Sequence, residues 1–227
     1  MFLVKLNFSN TKLDLRRSIF GYSKVQRIVS ALIRNRIVFA NRKKKGCYLD
    51  LGCGQNVSPD FCNLDYGWHP GTDICWDVTR GLPFPEGYVS GIFSEHMLEH
   101  IPFADALKLL AECRRILRKG GTLRLVVPDG ELYLSQYCKH QGGNRACMPN
   151  ADSDKTYFAI VTPIVSVNRI FRFYGHQFIW DYETLRLALY RAGFENVEKR
   201  TFGEGADVQL LRDTPSRSVE SLYVEAS

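Results

Sequence analysis

The sequence predicts an α/β protein built on a seven-stranded, mostly parallel sheet with helices on both faces. Short apolar segments typical of buried strands alternate with amphipathic helical segments along most of the chain. The last two predicted strands follow each other without a helix, which indicates that the last strand is antiparallel. The 227 residues, 45% of them hydrophobic, are enough to bury a full core.

The predicted elements follow from local patterns. Strands are expected over residues 47–51, 61–65, 73–76, 89–94, 122–127, 194–202 and 221–226. Helices are expected over residues 23–41, 102–119 and 181–192, where Pro102 suits a first helical turn and Gly120 and Gly193 suit helix ends. The gap between the first two strands is too short for a full crossover helix, so we expect only a turn there.

Charge divides the chain into a basic N-terminal arm, residues 1–45, and a mildly acidic body, residues 46–227. Residues 1–46 contain twelve Lys or Arg and one Asp, whereas the rest has eighteen basic and twenty-three acidic residues, so the net charge of +6 is an average of two unlike parts. The helical stretch of the arm is amphipathic. We expect it either to pack over the cofactor site or a neighbouring subunit, or to contact an anionic membrane surface. Nucleic-acid binding is not expected, because aromatic residues do not alternate with the basic ones. The oligomeric state is not predicted.

Cysteine use and hydropathy bear on the compartment. The seven cysteines are odd in number and none forms a C-x-x-C pair, so neither a disulfide framework nor a zinc cluster is predicted. No apolar run is long enough to span a bilayer, and no signal-peptide pattern is present. We therefore expect a cytoplasmic protein with reduced thiols, peripheral to the membrane if the arm binds it.

A glycine-containing loop follows the first predicted strand, in the segment Leu-Asp-Leu-Gly-Cys-Gly that ends at Gly54. Glycines let the chain turn sharply and let a ligand approach the backbone at the carboxyl end of a strand. A dinucleotide fingerprint would need a third glycine where Val57 stands, so that alternative is weak. Asp65 and Asp77 follow the next two strands, and this ordered acidic set is better suited to S-adenosylmethionine, which carries a cationic sulfonium and no phosphate.

These motifs resemble those of class I S-adenosylmethionine-dependent methyltransferases, of the type-11 methyltransferase-domain kind, over about residues 46–227. The resemblance implies a Rossmann-like fold and an acceptor-pocket or lid insertion at about residues 130–178. The motifs that carry it are LDLGCG (49–54), NLD (63–65), DVTRGLPFPEG (77–87), SEHMLEHI (94–101), LRKGGTLRLVVPD (117–129), HQFIWDYETLRLALYRAGF (176–194) and ESLYVEA (220–226).

The resemblance assigns the cofactor contacts by position. The methionine part would lie among residues of the glycine loop, namely Asp50, Leu51, Gly52, Cys53 and Gly54. The remaining contacts would be Asp65 to the ribose, Asp77 and Val78 to the adenine, and Ser94, Glu95 and His96 near the sulfonium.

The sequence departs from the family pattern in two places. The family often has a glycine near Asn56 and an Asp where Ser90 stands. The short first crossover is a third departure, and it bears most directly on the role of Asp65.

Residues 96–100 also match the H-x-x-E-H pattern of inverted zinc proteases. No separate third ligand is evident from the sequence, so we predict no metal site. Pocket lining by Glu95 and His96, and packing or capping by Glu99 and His100, are the favoured roles.

His176 is the candidate catalytic residue. It follows the insertion in which such enzymes build the acceptor pocket, and an imidazole can take a proton from an oxygen acceptor at neutral pH. The alternatives left open are a structural histidine and a reaction without a base. Candidate acceptor contacts are Tyr133, Arg145, Arg172 and Tyr174, because arginine grips anionic groups and aromatic rings stack on sugars.

The function predicted from the sequence is methyl transfer to an oxygen or nitrogen of a small-molecule or glycan-type acceptor. Two alternatives remain: a catalytically inactive binding or scaffold protein, and a methyltransferase that acts on RNA or protein with help from the arm.

Overall fold

A computed structural model describes residues 23–141, 148–158 and 160–227. In the described chain seven strands form one sheet in the order β3-β2-β1-β4-β5-β7-β6. The strands are β1 (Tyr48–Leu51), β2 (Phe61–Asp65), β3 (Ile74–Cys75), β4 (Val89–Glu95), β5 (Leu117–Pro128), β6 (Val197–Arg200) and β7 (Ser221–Ala226). Strand β7 pairs antiparallel with β5 and β6, and the other pairs are parallel. The predicted α/β class and the seven-stranded, mostly parallel sheet with an antiparallel last strand are confirmed.

Helices lie around this sheet, and several begin at recognisable caps. They are α1 (Lys24–Ile33), α2 (Phe103–Ile116), α3 (Gly130–Gln141), α4 (Ala151–Tyr157), α5 (Pro163–Arg172) and α6 (Tyr182–Arg191). Ser23 and Gln26 form a capping box at the start of α1, and the Asp181 side chain accepts the N–H of Thr184 at the start of α6. No helix in the described part of the chain is long and apolar enough to cross a membrane.

The first helix is shorter than the pattern predicts. A helix over residues 23–41 was expected, but α1 ends at Ile33 because Arg34 is extended and Asn35 has a φ of +61°. That left-handed backbone cannot continue an α-helix. A short 3-10 turn, Ile37–Phe39, follows.

The described part of the arm packs against the ends of β2 and β3. The Trp68 N–H donates to the Ser30 hydroxyl at 2.7 Å, and the Asp77 N–H donates to the Asn35 side chain at 2.8 Å. The apolar side chains of α1 do not all join this contact: Val25, Ile28 and Leu32 are 57–67% exposed.

Side chains alternate between the two faces of the sheet. One face, which we call the helix-covered face, contributes Leu49, Ile92 and Leu123 to the main apolar core together with residues of α2 and α6. The opposite face carries Asp50, Phe93, Arg124 and Glu225, which are neighbours in register across β1, β4, β5 and β7. The apolar cluster on that opposite face contains no α-helical residue in the described chain. Its members are Phe61, Phe93, Val126, Leu210 and Tyr223, with Tyr48 packed against them.

The opposite face is covered by residues 201–220, which we call the β6–β7 connection. Strand β6 ends and strand β7 begins at the edge where β5 also ends, since β7 is antiparallel to both. The connection therefore lies at the carboxyl ends of the parallel strands. This is the edge at which open α/β sheets bind ligands.

Candidate active site

The glycine loop directly follows β1. Gly52 has a φ of +82°, and a Cβ there would lie 2.3 Å from Cγ of Met97, so both backbone and packing require glycine. Gly54 has a φ of +52°, and a Cβ there would have no neighbour within 4 Å. The carbonyl of Leu51 accepts the Ser94 hydroxyl at 2.8 Å, which joins β1 to the end of β4. Cys53 is buried, and burial raises the pKa of its thiol.

Asp65 joins the end of β2 to the glycine loop. Its carboxylate accepts the N–H of Gly54 at 2.9 Å and the N–H of Gly67 at 2.8 Å. The loop between Gly52 and Asp60 contains no helix, as the short spacing predicts. Asp65 therefore stands beside Gly54, although its contact with a ribose stays a prediction.

Asp77 follows β3 and holds a turn. Its carboxylate accepts the N–H of Thr79 at 3.1 Å and the hydroxyl of Thr79 at 2.7 Å. Val78, the next residue, is half-buried against the main core. The ends of β1, β2 and β3 thus present the predicted set side by side, in sheet order.

Asp50 is bound by a residue that the sequence analysis missed. The Arg212 guanidinium lies 2.7 Å from the Asp50 carboxylate and 3.1 Å from the Asn56 carbonyl, and it stacks over the Phe61 ring at 4.4 Å. Burial raises the pKa of Asp50 to about 6 in spite of this guanidinium.

The β6–β7 connection also binds the residues at the end of β4. Glu95 accepts the N–H of Thr214 at 2.8 Å and the hydroxyl of the same residue. His96 has a φ of +50°, and its Nδ1 lies 2.6 Å from Arg217. Since arginine can only donate, Nδ1 of His96 accepts and its Nε2–H donates to Ser221 at 2.8 Å. Burial and Arg217 lower the pKa of His96, which agrees with a neutral ring.

His176 is 8% exposed and lies just after the 3-10 turn Phe173–Gly175. Its Nδ1 is 2.6 Å from the carbonyl of Ile170, and its Nε2 is 3.9 Å from Oε1 of Glu99. Burial lowers its pKa, so the ring is neutral at pH 7. A neutral ring is the form that a general base requires, but that role stays a prediction.

The candidate acceptor residues are scattered. Tyr133 is fully buried, and its hydroxyl is 2.9 Å from Glu220 and 3.1 Å from Arg169. Tyr174 has a φ of +57°, and its ring centroid is 5.8 Å from that of His176. Arg172 is exposed at the end of α5, and Arg145 lies outside the described residues. Among the three described candidates, Tyr174 is the one whose ring contacts His176, so the described part of the chain gathers fewer of these residues than of the cofactor set.

A family model described as a methyltransferase domain matches residues 23–199. The chain belongs to this methyltransferase family. The matching model is the type-23 domain, whereas the motifs resemble the type-11 kind, and the predicted class of protein is confirmed. The match begins at the start of α1 and so includes the described part of the arm. No curated protein matches.

Solved structures share the fold at low sequence identity. The CMeT domain of the citrinin polyketide synthase is 12% identical with a TM-score of 0.50, over 95% of this chain and 60% of that one. A SAM-dependent methyltransferase from Archaeoglobus fulgidus is 15% identical with a TM-score of 0.48, over 94% of this chain and 98% of that one. PigF, solved with SAH, is 14% identical with a TM-score of 0.44, over 81% of this chain and 50% of that one.

Proposed function

We propose that the protein transfers a methyl group from S-adenosylmethionine to an oxygen or nitrogen of a small-molecule or glycan-type acceptor. The observation that carries this proposal is the ordered set at the carboxyl ends of β1, β2 and β3. In a member of a methyltransferase family, Gly52, Gly54, Asp65 and Asp77 occur there in sheet order. S-adenosylmethionine supplies a methyl group on a positively charged sulfur.

The residues present fit this cofactor. Gly54 faces open space, so a ligand can approach the backbone of the loop. Asp65 and Asp77 can accept hydrogen bonds from ribose hydroxyls and from an adenine amino group. Asp50 already balances one cation, the Arg212 guanidinium, and so can balance a positively charged ligand group in its place.

Positioning can supply much of the rate. Methyl transfer needs the acceptor atom in line with the sulfonium carbon, so holding both groups in place lowers the barrier. The neutral ring of His176 can take the proton that an oxygen acceptor loses, provided that the acceptor reaches it. Tyr133 contacts Arg169 within the insertion and Glu220 of the β6–β7 connection, and its contact with an acceptor remains part of the proposal.

Calorimetric titration with S-adenosylmethionine tests the cofactor assignment. We expect one molecule bound per chain and a loss of about tenfold or more in Asp65→Ala, because hydrogen bonds to a charged group contribute about 1.5–3 kcal/mol. Gly52→Val should also lose binding, because its side chain would collide with Met97. Asp60→Ala is the control, since Asp60 is exposed at the start of β2. Unchanged affinity in both site variants, with circular dichroism showing a folded chain, would refute the assignment.

Two other functions are distinguishable by turnover. Ser90 stands where the family often has a carboxylate, which favours an inactive scaffold protein. Turnover of the cofactor with any acceptor would exclude this hypothesis. The basic arm favours a macromolecular acceptor such as RNA or protein. If so, removing residues 1–22 should abolish acceptor binding while cofactor binding persists. Acceptor binding that survives the removal would exclude the hypothesis of a macromolecular acceptor held by the arm.

For the arm we propose peripheral contact with anionic membranes. Val25, Ile28 and Leu32 lie exposed on one helix in a segment rich in Lys and Arg, which is the pattern of interfacial helices. Vesicles containing anionic lipid should bind the protein, and salt should weaken that binding. Equal binding to neutral vesicles would contradict the proposal, and Ile28→Asp provides the matched variant.

A further inference from the structure

Three potential metal ligands meet beside the candidate active site. Glu99 and His100 belong to the 3-10 turn Leu98–His100 after β4, and His176 lies at the far end of the insertion. One ligand atom from each residue lies within 4.8 Å of the others. Oε1 of Glu99 is 3.9 Å from Nε2 of His176 and 4.0 Å from Nε2 of His100.

The Glu99 carboxylate has no adequate partner in the described chain. Its side chain is fully buried, and neither oxygen accepts a hydrogen bond from another described residue; the nearest ring nitrogen, Nδ1 of His96, is 3.5 Å from Oε1. Buried carboxylates are almost always hydrogen-bonded or bound to a cation, because leaving water without compensation costs several kcal/mol. Such a group either holds a proton or binds a cation, and the two imidazoles beside it favour a cation in that place.

His176 is oriented as a ligand. A carbonyl oxygen can only accept, so the short contact with Ile170 places the proton on Nδ1 of His176. The lone pair is then on Nε2, the atom nearest to Glu99. Metal-binding histidines commonly donate their other ring N–H to a backbone carbonyl in this way. The His100 ring meets the His176 ring edge-on, with centroids 4.8 Å apart. It also hydrogen-bonds to the backbone of His96 and Tyr174, so a bound ion would replace one of these contacts.

We propose that Glu99, His100 and His176 bind a divalent transition-metal ion, with Zn²⁺ the best match to the donor set. Two imidazole nitrogens and one carboxylate suit zinc and its neighbours, whereas Ca²⁺ and Mg²⁺ prefer oxygen ligands. Ligands of a tetrahedral zinc ion lie about 3.3 Å apart. The observed spacings need to contract by less than about 1.5 Å, a movement that side-chain rotation can supply.

His96 is not part of this site, although it completes the H-x-x-E-H pattern. Nδ1 of His96 is 3.5 Å from Oε1 of Glu99, nearer than the other two rings. That nitrogen, however, accepts a hydrogen bond from Arg217, and Nε2 is bonded to Ser221. The third ligand comes instead from His176, which no spacing rule within the motif could reveal. Three protein ligands leave a fourth position open for water or for a heteroatom of a bound molecule. Because the ion would occupy the only lone pair of the His176 ring, the metal-ligand role and the general-base role of His176 exclude each other.

The ion would fasten the turn after β4 to the end of the insertion. These segments already touch through their backbones, because the N–H groups of Gln177 and Phe178 lie 2.7 and 3.2 Å from the Glu99 carbonyl. A bound ion would stabilise this junction by linking side chains from both segments.

Titration of chelator-treated full-length protein with Zn²⁺ tests the site. We expect one ion per chain, with affinity reduced at least about tenfold in both Glu99→Gln and His176→Gln. His140→Gln is the control, because His140 is an exposed histidine at the end of α3, and it should bind as the wild type does. Absence of saturable binding, or equal affinity in His176→Gln and His140→Gln, would overturn the proposal.

A second measurement on the wild type guards against unfolded variants. Bound Co²⁺ should give the visible absorption of a site with nitrogen and oxygen ligands, without a thiolate charge-transfer band. In NMR spectra, Zn²⁺ should shift the ring nitrogen resonances of two of the five histidines. A thiolate band, or shifts confined to His69 or His140, would refute this ligand set. Neither measurement uses S-adenosylmethionine. Both therefore test the metal site even if the proposed methyltransferase function is wrong.

Discussion

The two faces of the sheet are stabilised in different ways. The helix-covered face buries aliphatic side chains such as Leu123 and Ile92 against α2 and α6. The opposite face buries Arg124, which is completely inaccessible and uses all five of its N–H donors. Its partners are the carboxylates of Asp213 and Glu225 and the carbonyls of Thr201 and Glu204.

This difference shows how a coil can replace helices as a covering layer. Apolar packing depends on shape and volume, and helices supply both with few specific contacts. A coil exposes backbone groups that must be satisfied, and a buried guanidinium can hold several carbonyls at once. The β6–β7 connection is therefore held by directed polar contacts, and its residues reach Asp50, Glu95 and His96 at the candidate site.

The largest expected effect is that of Arg124→Leu. Removing the guanidinium leaves Asp213 and Glu225 as buried carboxylates without their main cation, so the free energy of unfolding should fall by about 3–5 kcal/mol. Urea denaturation followed by circular dichroism measures this loss. Arg200→Ala provides the control, because the Arg200 side chain is 29% exposed and should cost about 1 kcal/mol or less. A loss below that of the control would mean that the network does not hold this face.

The pH dependence of stability gives the next effect. Burial raises the Asp50 pKa from 3.8 to about 6, so the folded state holds a proton that the unfolded state has lost between these values. The Asp50 contribution is therefore full below about pH 4 and is lost as the pH rises through 6. From pH 4 to pH 7, Asp50→Asn should gain about 2–3 kcal/mol relative to the wild type. The expectation is wrong if the difference in free energy of unfolding between Asp50→Asn and the wild type is the same at pH 4 and at pH 7.

A shape-conserving change on the helix-covered face should cost less. Ile92→Val removes one buried methylene among aliphatic neighbours, so we expect a loss of about 0.5–1.5 kcal/mol at every pH. The denaturation midpoint should shift while the slope stays constant. A pH-dependent loss would indicate that the two faces are not stabilised independently.

The smallest effect belongs to a charge pair outside both faces. Lys108 lies 2.9 Å from Asp105 on α2, but its side chain is 72% exposed. Lys108→Ala should change the free energy of unfolding by about 0.5 kcal/mol or less, because exposed ion pairs are screened by water. A loss comparable to that of Arg124→Leu would show that burial is not what distinguishes the two ion pairs.

The sequence predicts much of the sheet because its strands carry strong local signals. The expected ranges 61–65 and 221–226 match β2 and β7, whose apolar residues stand between clear turns. The expected range 194–202 extends beyond β6, Val197–Arg200. The expected helix 102–119 was wrong at its end, because α2 stops at Ile116 and the next residues, with Gly120, belong to strand β5. Ends of elements depend on tertiary contacts and are the least predictable part.

The candidate site likewise has a part that local sequence patterns predict and a part that depends on tertiary contacts. Strand-end spacing brings the glycine loop, Asp65 and Asp77 to one edge, as predicted. The contacts of Arg212 are not predictable from local patterns, because Asp50 is 162 residues away in sequence. One feature of the sequence could have placed Arg212 near this site. A connection between two adjacent antiparallel strands must begin and end on the same side of the sheet, here at the carboxyl ends of the parallel strands.

The insertion begins and ends at a single junction. The N–H of Gly130 donates to the carbonyl of Trp180 at 2.9 Å, and Asp129 forms a bridge with Trp180. The free energy of loop closure becomes only slowly less favourable as a loop lengthens. A segment whose two ends are bonded to each other in this way can therefore be replaced by one of another length. A chimaera carrying a foreign segment between Gly130 and Trp180 can therefore keep the strand register of the sheet.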